Sequence, residues 1–161
     1  MNQENLKAKS EVIAEVVESA SAAKSIIVVE YRGLTVKELM QLRRDLRAAK
    51  SELVVYKNSL VERAADSLGY QGLNSILAGP NAFIFSKDTI EGPKAIVKFA
   101  RRNDKVVIKG GVVEGKVVNA DEMKVVATLP GREGLISMFL SVLQAPVRQF
   151  AVAVKAVADA K

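Results

Sequence analysis

Apolar positions recur along this chain with two periods, one helical and one extended, and their alternation lays out the elements. Over residues 4–23, Leu6, Val12, Ile13, Val16, Val17 and Ala20 recur near helical spacing, with Glu11, Glu15 and Glu18 elsewhere, which predicts a helix. Residues 25–31 (SIIVVEY) form a short β-branched run, read as a buried strand that Arg32-Gly33 ends. Thr35-Val36-Lys37-Glu38 is a capping-box pattern opening a helix to about Lys50, with Leu39, Leu42, Leu46 and Ala49 as its apolar stripe. Residues 52–56 (ELVVY) predict a second strand. Ser59-Leu60-Val61-Glu62 reads as another capping box and a helix to about Leu68. Gly69, Gly72, Gly79 and Pro80 punctuate a short helical piece at 73–78, and 81–85 (NAFIF) is a third strand. Gly92-Pro93 opens a helix that ends at Arg101-Arg102. Residues 106–118 (VVIKGGVVEGKVV) read as strand, Gly-Gly turn, strand, after which Asp121 caps a helix over 122–129.

The last segment breaks the pattern. Pro130, Gly131 and Gly134 fall within five residues and predict a hinge at 130–134. From 135 to 161 the chain has no Gly, and only Arg148, Lys155, Asp159 and Lys161 are charged. Ile136, Leu143, Phe150 and Val157 recur every seven residues, as do Leu140, Val147 and Val154. Leu135, Met138, Phe139, Val142 and Val152 widen this seam until little polar face remains. Such a helix, about 40 Å long at 1.5 Å per residue, has to be covered by something. A hinge precedes it, so other chains are the favoured cover. Folding back onto the chain's own sheet is the alternative, and a membrane surface is disfavoured by the lack of a cationic face. Pro146 removes one helical hydrogen bond and crowds the Val142 carbonyl, so a kink is expected between stretches 135–145 and 147–157.

Composition narrows the chemistry. The 161 residues are 49% hydrophobic and 26% charged, enough for a real core. There is no Cys and no His, so thiolate chemistry, thiolate-bound metals and the usual general base are all absent. The glycine pairs match no phosphate-binding loop, no catalytic or metal site stands out, and no cofactor is expected. The polar N-terminus reads as no secretory signal and no uninterrupted apolar run suggests a membrane span, which together predict a cytoplasmic protein.

The formal net charge is +6. Residues 31–63 hold eight basic side chains against four acidic, an excess of four. The basic excess therefore sits around the first strand–helix–strand unit, where phosphates would gather. Arg43, Arg47 and Lys50 share one helix face, and Arg32-Gly33 and Lys57-Asn58 lie at strand ends. If the two strands run parallel, both tips meet at one sheet edge. Tyr31 and Tyr56 either stack on bases or pack against the sheet. A merely solvated charged face is the competing explanation.

The segments Tyr31-Arg32-Gly33-Leu34-Thr35-Val36, Val54-Val55-Tyr56-Lys57-Asn58-Ser59-Leu60, Gly79-Pro80-Asn81-Ala82, Lys109-Gly110-Gly111 and Leu129-Pro130-Gly131-Arg132-Glu133 resemble the bacterial large-subunit ribosomal stalk-base family, large-subunit protein ten. The resemblance runs from end to end. The chain departs from it mildly at Ser59, where members often carry Thr. It implies an α+β fold: a two-layer, ferredoxin-like α/β sandwich with a largely antiparallel sheet, plus a protruding C-terminal helix. The residues alone allow a parallel sheet equally well.

It further implies a globular rRNA-binding domain at 1–129, the hinge, and a helix at 135–161 that carries acidic stalk-protein dimers. By matched motif, Arg32, Gly33, Lys57 and Asn58 are the expected RNA contacts. Lys7, Lys37, Arg43, Arg44 and Arg47 join them on charge alone. Leu135, Ile136, Phe139, Leu140, Leu143, Val147, Phe150, Val154 and Val157 are the expected dimer-binding positions, and two stretches predict two dimers. The remaining implied partners are large-subunit rRNA, the stalk-base neighbour protein eleven and, indirectly, translational GTPases, with no membrane. Many members also repress their own operon. The alternative is an RNA-binding module that self-associates through its last helix.

Overall fold

The computed structural model describes residues 3–159. Five strands, β1 (Ser25–Glu30), β2 (Ser51–Val54), β3 (Asn81–Ser86), β4 (Val107–Val113) and β5 (Lys116–Asn119), form one sheet in the order β2-β3-β1-β4-β5. Every neighbouring pair is antiparallel. The central strands β1 and β3 are apolar on both faces, so both faces need cover. On one face Ile27, Val29, Ile84 and Ile108 pack with α2 (Val36–Ala48), α4 (Glu91–Ala100) and α5 (Ala120–Thr128), through Leu42, Leu46, Ile96, Phe99 and Met123. On the other, Ile26, Val28, Phe83, Phe85 and Val112 pack with α1 (Gln3–Ala22), α3 (Asn58–Leu68) and the 3-10 segment Gln71–Ile76, through Ala20, Val61, Ala65 and Leu73. The α+β class and the antiparallel sheet are as expected. The two layers implied by the resemblance become three, because neither central strand has a polar side to leave in water.

Thr35 caps α2 as expected: the Glu38 N–H donates to Thr35 Oγ1 at 3.3 Å and the Thr35 N–H to Glu38 Oε2 at 2.7 Å. Three other local expectations fail. Ser59 caps nothing; the N-cap is Lys57, two residues earlier, so α3 begins at Asn58 with no side-chain cap. α5 begins at Ala120 rather than after Asp121, and the Asn119 N–H donates to Glu122 Oε2 at 2.9 Å. Gly110-Gly111 is not a turn. Both lie inside β4, where a Cβ on Gly111 would come within 2.0 Å of the Ile26 carbonyl oxygen and one on Gly110 within 2.6 Å of that of Val118. The hairpin turns instead at Glu114-Gly115, both with positive φ. Val28 pairs with Gly110 and Val29 with Ile108, so Lys109 is the extra residue of a β-bulge.

The chain divides into two compact units, 1–128 and 129–161. The second is dominated by α6 (Arg132–Asp159), which runs unbroken through Pro146. Gly134 lies inside this helix, so it is not part of a hinge: the Leu135 N–H already donates to the Gly131 carbonyl at 2.9 Å. Only Pro130 and Gly131 precede the helix. By length and composition alone, α6 is apolar enough to cross a membrane, contrary to the expectation that the chain holds no such segment.

Candidate nucleic-acid interface

β1 and β2 each run antiparallel to β3, so they are parallel to one another with β3 between them. Their C-terminal ends therefore share one edge of the sheet, which brings Arg32-Gly33 and Lys57-Asn58 to the same end. At the first tip the Leu34 N–H donates to the Tyr31 carbonyl at 3.2 Å, and Gly33 has φ +85°. That is the third position of a tight turn, where a side chain is strained. A Cβ there would meet nothing nearer than Lys105 Cδ at 3.9 Å, so conformation and not space selects glycine. Arg32 projects from this turn, exposed, and Lys57 is exposed at the start of α3.

Asn58 does something else. Its side-chain amide donates to the Leu77 carbonyl at 2.6 Å and the Gly79 carbonyl at 2.8 Å. Asn81 donates to the same Leu77 oxygen at 2.7 Å. The Lys109 ammonium, carried there by the bulge, donates to the Ala78 carbonyl and to Asn81 Oδ1 at 3.0 Å, and pairs with Glu30 at 2.9 Å. These side chains clamp the 77–81 loop between the two tips. Asn58, expected to touch RNA, has both amide donors occupied and shapes the sheet end instead.

On α2, Leu42 and Leu46 are buried while Lys37, Arg43, Arg44 and Arg47 are exposed. Arg43 and Arg47 follow Val36 and Met40 on one outward stripe and border a shallow recess along the edge strand β2. Lys7 is exposed on α1, a helix of the opposite face, so the fold does not join it to the α2 cluster. Sequence reasoning passed over Lys87, which stands at the end of β3 beside Arg47 and Lys50. Only the strand order brings it there.

Neither tyrosine is free to stack. Tyr31 packs on the α2 side, and Tyr56 meets Phe85 edge-on at 6.4 Å. Burial, and then the hydrogen bond its hydroxyl donates to Glu15 at 3.2 Å, push the Tyr56 phenol up to about 12. The Thr35 backbone N–H, then its hydroxyl, and Lys105 at 3.6 Å hold the Glu38 carboxyl below its ordinary range. Among the described residues, no cluster of acidic side chains fit to hold a metal occurs.

On α6, Ile136, Phe139, Leu140, Leu143, Val147, Phe150, Val154 and Val157 are each at least 52% exposed, and Leu135 is half-buried. A solvent-facing row of this length is costly in water.

Comparison with known proteins finds the family model for ribosomal protein L10 matching residues 4–101, and that for the ribosomal protein uL10 C-terminal region matching 129–161. Among curated relatives, the large ribosomal subunit protein uL10 of Bacillus cereus (strain B4264) is 52% identical over 157 residues, covering 97% of this chain and 95% of the relative. The uL10 of Bacillus anthracis (strain CDC 684 / NRRL 3495) matches to the same extent, 52% over 157 residues.

Proposed function

Because the chain belongs to the ribosomal protein L10 family, we propose that it forms the base of the large-subunit stalk, gripping rRNA with its first unit and carrying acidic stalk-protein dimers on α6. Family membership makes it a structural protein of the large ribosomal subunit, not an enzyme, working in the cytoplasm on the ribosome.

The observation that carries the finer reading is the exposed apolar row of α6, which falls within the family's C-terminal region. An amphipathic partner helix or pair of helices would cover it, and an acidic partner would be drawn to a chain of net charge +6. Two stretches of similar length flank Pro146, so two dimers are accommodated. The exposed basic side chains of α2 and the sheet-end tips support reading the first unit as the phosphate-contacting part, and in this reading it sits beside protein eleven. The stalk dimers in turn recruit translational GTPases.

Phe150→Asp with Val154→Asp tests this. The double variant should lose the acidic stalk protein in co-purification and keep large-subunit rRNA binding. Retention of both dimers would remove α6 from the account. A chain that makes a defined oligomer by itself would favour self-association instead.

A further inference from the structure

At the end of the sheet opposite Arg32 and Lys57, a cavity of about 470 Å³ opens between the last turn of α1, the α2–β2 junction and the end of β3. Its wall has two characters. Ala22, Ala23 and Phe85 give it apolar surface, and Arg47, Lys50 and Lys87 give it cations. Glu52 is the one carboxylate on the wall, so three cations against one anion leave an excess of two positive charges. Among the described residues, none of the three cations has an ion-pair partner. This size and mixture of surfaces suits a small amphipathic anion.

Lys50 adds a second observation. It follows the end of α2 with φ +50°, a left-handed conformation that favours glycine at a helix C-terminus. Lysine at such a position is backbone strain retained at the lip of a cavity, and strain of this kind persists where the side chain has a use.

We propose that this cavity receives one unstacked nucleotide of the bound RNA, with its phosphate on Arg47, Lys50 and Lys87 and its base against Ala22, Ala23 and Phe85. Single-stranded RNA is read by splaying bases out into such recesses, and the guanidinium of Arg47 suits a phosphate's paired oxygens. The proposal rests on the rRNA-binding reading and adds to it a second contact area at the far end of the sheet.

The test uses the full chain, large-subunit rRNA and a salt titration. Lys50→Gly should melt at or above the wild-type temperature, because it relieves the positive φ, yet bind more weakly. Combined with Lys87→Ser it should lose about tenfold in affinity, with a salt slope shallower by about 0.7 per lysine removed. A double variant that binds as tightly as wild type, with the same slope, overturns the proposal. If Arg32→Ala with Lys57→Ala weakens binding in the same series, the rRNA-binding reading stands without the cavity. A wild-type chain that binds large-subunit rRNA no better than tRNA overturns both.

A second arm separates nucleotide from bare anion. Amide resonances of Ala22, Ala23 and Lys87 are followed while uridine or adenosine 5′-monophosphate, or inorganic phosphate, is added. Shifts with the nucleotides that phosphate does not reproduce support the proposal. Equal shifts with phosphate alone, or none with any probe, overturn it.

Discussion

The Lys109 ammonium lies 2.9 Å from the Glu30 carboxylate, joining the bulged strand β4 to the end of β1. Both side chains are partly buried, and the same ammonium holds the 77–81 loop through Ala78 and Asn81. Lys109→Met should therefore cost about 3 kcal/mol, since it leaves a half-buried carboxylate and two loop acceptors without their donor. Denaturant unfolding measures this. Glu30→Gln, which keeps the lysine's loop contacts, should cost less.

Asn58 and Lys57 are neighbours with separable roles. Asn58→Ala should destabilise the fold by about 1–2 kcal/mol, because the Gly79 carbonyl loses its side-chain donor and the Leu77 carbonyl keeps only Asn81, and leave the rRNA affinity of the folded fraction unchanged. Lys57→Ala should do the reverse, weakening rRNA binding at unchanged melting temperature. Paired thermal melts and filter binding check both.

Gly111→Ala should be the most damaging single methyl in the sheet. Its Cβ would fall 2.0 Å from the Ile26 carbonyl oxygen in the central strand pair, so β1 and β4 must separate. A loss of about 3 kcal/mol or more, or failure to fold, is expected. Phe83→Ala, a fully buried deletion, gives a reference of about 3–5 kcal/mol.

Two groups tie stability to pH in opposite directions. The raised Tyr56 phenol, at about 12 when folded, contributes stability that is complete below its ordinary pKa of 10.0 and lost as pH climbs through the folded value. Tyr56→Phe should flatten stability between about pH 10 and 12. The lowered Glu38 carboxyl contributes stability present above its ordinary 4.5 and lost as pH falls through its folded value. Thr35→Val removes the hydroxyl but keeps the backbone N–H and Lys105, so it should only reduce that acid-side slope, whereas Glu38→Gln should remove it, in urea melts at stepped pH.

What the sequence revealed depended on whether the signal was local. The Thr35–Glu38 box and the 25–29 run were legible because their causes lie within a few residues. Gly110-Gly111 was misread because glycines between apolar runs have the pattern of a hairpin, whereas here they make room for carbonyls of Ile26 and Val118, residues on other strands. Asn58 beside Lys57 looked like a polar tip, and the loop oxygens it serves lie 19 and 21 residues away. Lys87 joins Arg47 and Lys50 only through the strand order. The α6 seam was legible because a seven-residue repeat is visible without any fold at all.

Native mass spectrometry of the full chain co-expressed with the acidic stalk protein addresses the central claim most directly. The account predicts one copy of this chain with four of the acidic protein, and, for the Phe150→Asp, Val154→Asp variant, fewer copies. A spectrum showing this chain bare, or only as a homo-oligomer, beside abundant stalk dimers would contradict it.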